Sequence, residues 1–99
     1  MTVLRNGEKK PLFRLGVVVA TPGALEALQA ANEHPLQFLV RHVTGDWGVL
    51  CAEDKAENER AVREGLRILS AYTTAKGQKI WIITEWNRST TTLLLPSEY

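Results

Sequence analysis

Lys79-Ile80-Trp81-Ile82-Ile83-Thr84-Glu85 decides how the rest of the chain is read. It is rich in β-branched and aromatic residues, which suit a pleated, half-buried surface, so it predicts a strand. On a strand, alternate side chains fall on opposite faces. Trp81 and Ile83 then share one face, and Ile80 and Ile82 share the other. Both faces are apolar: either the strand is central and covered on both sides, or one face meets a partner. On the N-terminal side, Ala75-Lys76-Gly77-Gln78 has the composition of a hairpin turn. Leu66–Thr74 before it alternates in part, with Ile68, Ser70 and Tyr72 on one face and Leu69 and Ala71 on the other. On the C-terminal side, Trp86–Ser89 forms a short loop. Thr90–Leu95 is a last strand, stopped by Pro96. Connections this short require antiparallel neighbours, so the C-terminal third is expected to be a three-strand meander.

The N-terminal half reads differently. Residues 1–11 look like a loose polar leader. Leu12–Ala20, with Val17, Val18 and Val19, predicts a buried strand. Thr21-Pro22 is a helix start: Thr21 caps, and Pro22 fits a first position whose N–H would go unpaired anyway. Leu25, Leu28 and Gln29 follow at helical spacing, and Asn32 ends this helix near Ala31. His34-Pro35 opens a second, with Leu36, Leu39, Val40 and Val43 on one face. Gly45-Asp46-Trp47-Gly48 is a tight turn built on two glycines. A third helix is expected over Ala52–Glu64, with Glu53 and Asp54 in its first turn, where negative charge suits the helix dipole. Its inward stripe is Asn58, Ala61, Val62 and Gly65. The expected fold is α+β: an antiparallel sheet of three to four strands packed against three short helices, in the order β-α-α-α-β-β-β. Residues 12–99 form one domain.

Composition narrows the function. The chain has 99 residues, room for one domain and not two. Lys and Arg number 12 against 11 Asp and Glu, so neither a strongly basic nucleic-acid binder nor an acidic DNA mimic is indicated. Nucleic acid is therefore a partner that net charge does not support. Cys51 is the single cysteine, so no internal disulfide forms, which suits a reducing compartment. No apolar run approaches the roughly 20 residues of a membrane span, and the first ten residues lack the apolar stretch of a signal peptide. A cytoplasmic protein without membrane partners is expected. No glycine-rich phosphate loop and no paired Cys or His at metal spacing is present, so neither cofactor nor metal is expected.

Four segments resemble a family of short, uncharacterised bacterial proteins often labelled plasmid-related: Ala20–Leu28 (ATPGALEAL), Arg41–Gly48 (RHVTGDWG), Leu69–Tyr72 (LSAY) and Ile80–Tyr99 (IWIITEWNRSTTTLLLPSEY). The resemblance runs from about Phe13 to the C-terminus. It implies an accessory protein associated with mobile elements and brings no established activity. Two positions depart from the pattern. Trp86-Asn87 stands where a small residue and an acid are expected, and Cys51 where an acid follows the glycine turn.

The chemistry-bearing candidates lie after the second helix and along the last strands. Metal-independent ribonuclease chemistry needs a base, an acid and a cation to hold phosphate. Glu85, His42 and Arg88 supply those types, with Ser89 or Thr91 adding a hydrogen bond. Helices before an antiparallel sheet resemble the barnase, colicin and toxin-type ribonucleases at the level of fold. The simpler reading makes His42 a dipole-compensating cation at a helix end, and Glu85–Arg88 a turn ion pair of small weight. A Ser70–His42–Asp46 triad lacks the glycines of a nucleophile elbow. Cys51 reads as an inert small apolar group. Asp46 and Trp47 have two readings: a turn whose Asp46 caps and whose Trp47 plugs the core edge, or an exposed partner anchor. Asn58, unexpected on an inward face, is assigned to the backbone of the glycine turn. Arg60, Arg63 and Arg67 form a ridge largely paired with Glu59 and Glu64. The leading expectation is a non-enzymatic binding or modulator protein. It would use Asp46, Trp47, Tyr72, Trp81, Trp86, Ser89 and Thr91 toward a protein partner or a second copy.

Overall fold

The computed structural model describes residues 10–99. The expected leader, 1–11, therefore lies almost wholly outside the described residues. The order is β1 (Val17–Ala20), α1 (Pro22–Ala30), α2 (Pro35–Val43), α3 (Ala52–Glu64), β2 (Ile68–Thr73), β3 (Lys79–Thr84) and β4 (Thr90–Leu94). A single 3-10 turn, Pro96–Glu98, follows. This is the α+β fold in the predicted element order.

The helix starts form as their residue types require. The Thr21 side chain accepts from the Ala24 N–H at 3.1 Å, and His34 Nδ1 accepts from the Leu36 N–H at 3.0 Å. α1 is followed by Asn32 in the left-handed region at φ 55°. Gly65, expected on the inward stripe of α3, instead ends that helix at φ 69°. Glycine, with no Cβ, takes that conformation at least cost.

The sheet order is β1-β4-β3-β2. β2, β3 and β4 are the expected antiparallel meander. β1 joins at the far edge and pairs parallel with β4, Val17 opposite Thr90 and Ala20 opposite Leu93. Three helices and two strands separate β1 from β4 in the chain, ample for the crossover a parallel pair needs. β1 is shorter than the predicted Leu12–Ala20. Gly16 turns at φ 66°, where a Cβ would lie 2.3 Å from the Ser89 carbonyl oxygen. The strand can begin only beyond it.

The register sorts the side chains. Tyr72, Ile80, Ile82 and Leu93 point to one face and pack with Ala24, Ala27 and Leu28 of α1 and Phe38 and Leu39 of α2. A second cluster, Trp47, Ala61 and Ile68 with Phe13, Leu50 and Val62, seats α3. The Trp81–Ile83 face is closed in part by the chain's own C-terminus. Tyr99 meets Trp81 edge-on at 5.6 Å between centroids, and its hydroxyl accepts from Arg67 at 2.6 Å. The strand is thus central, with helices on one face and a partial cover on the other.

Candidate functional site

The polar residues of the sheet's helix face converge, but inward. His42 sits in the last turn of α2, fully buried. Its Nδ1 lies 2.5 Å from Ser70 Oγ on β2, and its Nε2 lies 2.9 Å from Thr84 Oγ1 on β3. Thr84 Oγ1 lies 2.7 Å from Thr91 Oγ1 on β4. The Thr91 hydroxyl donates to the Leu15 carbonyl at 2.7 Å. That last bond sets the direction of the whole chain. Each hydroxyl has one proton. Thr91 spends its own on a carbonyl, so Thr84 donates to Thr91 and must accept from His42. Nε2 therefore carries the imidazole proton, and the Ser70 hydroxyl donates to Nδ1.

This imidazole is neutral. Burial first, and then the nearby charge of Arg88, push its pKa from 6.5 down to about 3. The expectation of a cationic His42 at a helix end is corrected: desolvation outweighs the dipole. Phe13 and Trp47 enclose the ring edge-on at 5.1 and 6.1 Å. With no exposed surface and both nitrogens engaged, His42 offers a ribose or a leaving group no proton. Ser70 does touch His42, as a triad would have it, but it is fully buried too, and Asp46 is committed elsewhere.

Arg88 is also turned inward. Its guanidinium donates to the carbonyls of Leu66 at 2.6 Å, Ala61 at 2.9 Å and Glu85 at 3.1 Å, and it lies 5.5 Å over the Phe13 ring. It therefore ties the β3–β4 turn to the end of α3, where the helix dipole favours a cation. Burial lowers its pKa. Its link to Glu85 runs through the backbone carbonyl, not through the expected ion pair. The guanidinium is thus spent on backbone carbonyls. His42, Glu85 and Arg88 do not face a common cleft.

The glycine turn follows its simpler reading. Trp47 is buried, and its Nε1–H donates to Glu59 Oε2 at 2.6 Å. Asp46 pairs with Arg41 at 2.7 Å and accepts from the Gly48 N–H at 3.2 Å. The Tyr72 hydroxyl donates to the Asp46 carbonyl at 2.7 Å. Burial raises that phenol to about 12. Asn58 departs from expectation. Its Nδ2 donates to the Leu69 carbonyl at 2.7 Å, and its Oδ1 accepts from the Leu69 N–H at 3.3 Å. It imitates a neighbouring strand at the outer edge of β2 instead of holding the glycine turn. One step along, the Ala71 N–H donates to the Trp47 carbonyl at 3.1 Å, and the Val49 N–H donates to Ala71 at 2.6 Å. That edge is sealed from Leu69 to Ala71.

What reaches solvent is a different set. Trp86 is 65% exposed at the tip of the β3–β4 turn. Ser89 is exposed beside it, its N–H held by Asn87 Oδ1 at 3.1 Å. Trp81 is half-buried under Tyr99, and Thr91 is buried in the His42 chain. Cys51 is exposed at the start of α3, not an internal apolar group. The Arg60–Glu64 pair forms at 3.0 Å, but Glu59 is drawn to Trp47. Of the residues proposed for binding, Asp46, Trp86 and Ser89 are exposed on fixed turns, and Trp86 is the one apolar side chain among the three. The sequence reading did not single out Phe13 or Glu59. Their roles come from partners far along the chain, and no local pattern marks them.

Among the described residues, no helix is long and apolar enough to cross a membrane, and no group of three His, Cys, Asp or Glu side chains is placed to hold a metal ion. Comparison with protein-family models, curated proteins and solved structures gives no match.

Proposed function

We propose that this chain is a non-enzymatic binding protein that engages a protein partner through the Trp86 turn. One observation carries the reading: an indole 65% exposed on a turn whose shape is set by three bonds from Arg88 to carbonyls on three separate residues. Exposed tryptophans are over-represented at binding hot spots, and a turn ordered beforehand loses little entropy on association. Leu66, whose carbonyl Arg88 holds, is itself exposed. The expected partner presents an apolar pocket. Net charge of +1 gives no general attraction to nucleic acid. The resemblance to short plasmid-related proteins is the ground for an accessory role linked to mobile elements in the cytoplasm.

The test places a photo-crosslinking amino acid at position 86 in the native cell, and at exposed Thr73 as the control. A discrete adduct from position 86 and none from position 73 is expected. Adducts of equal pattern from both positions, or from neither, would overturn the reading. Purified protein incubated with total RNA in EDTA separates it from the nuclease alternative. Cleavage by the wild type that is lost in Glu85→Ala would replace binding with catalysis.

A further inference from the structure

The two edges of the sheet are treated in opposite ways. At β2 the outward N–H and C=O groups of Leu69 and Ala71 are all paired, by Asn58 and by residues 47–49. At β1 they are bare. The Val17 N–H donates to the Ser89 carbonyl at 2.9 Å and the Thr21 N–H to the Leu93 carbonyl at 3.0 Å, so Val17, Val19 and Thr21 face β4. Val18 and Ala20 face away, with no partner among the described residues. Val17, Val18 and Val19 are 65%, 43% and 44% exposed. Natural edge strands are commonly blunted with a charge, a proline or a bulge. β1 is short, at four residues, but carries no charge, proline or bulge, and residues 15–25 contain no ionisable side chain.

From this geometry we infer that β1 pairs antiparallel with β1 of a second copy, about a two-fold axis at Val19, to make one continuous eight-stranded sheet. The occupant follows from the edge itself. Gly16 is left-handed and Thr21 begins the turn into α1, so Val18 and Ala20 are the outward residues available. Antiparallel pairing of Val18 with the partner's Ala20, and of Ala20 with the partner's Val18, uses every free group and makes four backbone hydrogen bonds. An uncharged stretch is what a symmetric contact needs, because Val19 on the axis meets its own copy and its neighbours lie close to theirs. A single charge there would repel itself. The two-fold also closes the assembly, since it uses both copies of the β1 edge in one isologous contact. The inference does not depend on the Trp86 reading: it rests on the outward backbone of Val18 and Ala20 and not on the indole.

The register makes the test specific. Val19 meets its symmetry mate in a non-hydrogen-bonded pair, where Cα atoms lie about 4.5 Å apart, within disulfide range. Val17 lies opposite Thr21, so the two copies of Val17 are about 13 Å apart along the strand. In a Cys51→Ser background of the full chain, Val19→Cys is expected to give a disulfide-linked dimer under mild oxidation, and Val17→Cys none. Sedimentation equilibrium of the wild type, from micromolar to millimolar, should show reversible dimers of the 11.1 kDa chain. Val18→Pro removes only the outward N–H and leaves the ladder to β4 intact. It should weaken the dimer roughly thirtyfold, about 2 kcal/mol at 1.4 kcal/mol per tenfold. Val19→Lys should yield monomers with unchanged far-ultraviolet circular dichroism, and mixing it with Val19→Glu should restore a heterodimer. A wild type that stays monomeric at millimolar concentration overturns the inference. So does a dimer indifferent to Val18→Pro and Val19→Lys, or a Val17→Cys crosslink as efficient as that of Val19→Cys.

Discussion

Acid should unfold this protein through His42, and the size of the effect follows from the buried hydroxyl chain. The native imidazole binds its proton near pH 3, against 6.5 in the unfolded chain. Between those values the unfolded state holds more protons, so stability falls as pH falls. The contribution is fully present above 6.5 and is lost progressively down to about 3. The gap corresponds to on the order of 4–5 kcal/mol at about 1.4 kcal/mol per pH unit. From pH 7.5 to pH 5 the loss is about 2 kcal/mol, a large share of the ~5–15 kcal/mol of a typical domain. In a domain of this length it lowers Tm by roughly 8–16 °C. The physical origin is local. A second imidazole proton would sit on Nδ1, facing the Ser70 hydroxyl that donates there. The new cation would be buried near Arg88 with no carboxylate among its hydrogen-bond partners. Thermal melts of the wild type and His42→Gln, from pH 7.5 to 4.5, measure the term. His42→Gln should be less stable at pH 7.5, by about 1–3 kcal/mol for the imperfectly satisfied hydroxyls. Its stability should then fall by about 2 kcal/mol less than that of the wild type between pH 7.5 and 5. A His42 ring that titrates near 6.5 by NMR, or a pH slope unchanged in His42→Gln, refutes the reasoning.

Gly48→Ala should cost on the order of 3 kcal/mol in urea unfolding, because a Cβ at φ 77° would meet the Ala71 carbonyl oxygen at 1.9 Å and open the β2 edge; a cost below about 1 kcal/mol would mean that the turn shifts freely. Asn58→Ala strips both side-chain bonds from Leu69 and should destabilise by about 2 kcal/mol, with faster exchange at the Leu69 amide and no change at Ile82. Arg88→Lys keeps the charge but not the fork that reaches three carbonyls. Trp86 fluorescence anisotropy should fall in that variant while β3 and β4 stay folded; an unchanged anisotropy would show that the turn does not depend on the guanidinium.

The sequence by itself determined the elements, their order and the side-chain alternation of β2 and β3. Those features follow from local rules: period-two patterning, Thr-Pro and His-Pro helix starts, glycine turns and short connections that force antiparallel neighbours. It also determined that Trp47 and Asp46 belong to a specific turn, because two flanking glycines constrain the backbone whatever surrounds them. The tertiary structure alone decided where β1 docks, since a strand separated from its neighbour by three helices carries no local sign of its partner. It likewise decided the state of His42. The residue type allowed an acid, a helix-end cation or a core group; the hydroxyls of Ser70, Thr84 and Thr91 on three different strands, with desolvation, chose the neutral form. Arg88 looked like a phosphate holder until the carbonyls of Ala61 and Leu66 arrived from another element. The two edges of one sheet were indistinguishable in sequence as well. Hydrogen-bond satisfaction is a property of neighbours in space, so only the fold could show that Leu69 and Ala71 of β2 are paired by Asn58 and residues 47–49 while Val18 and Ala20 of β1 have no partner among the described residues.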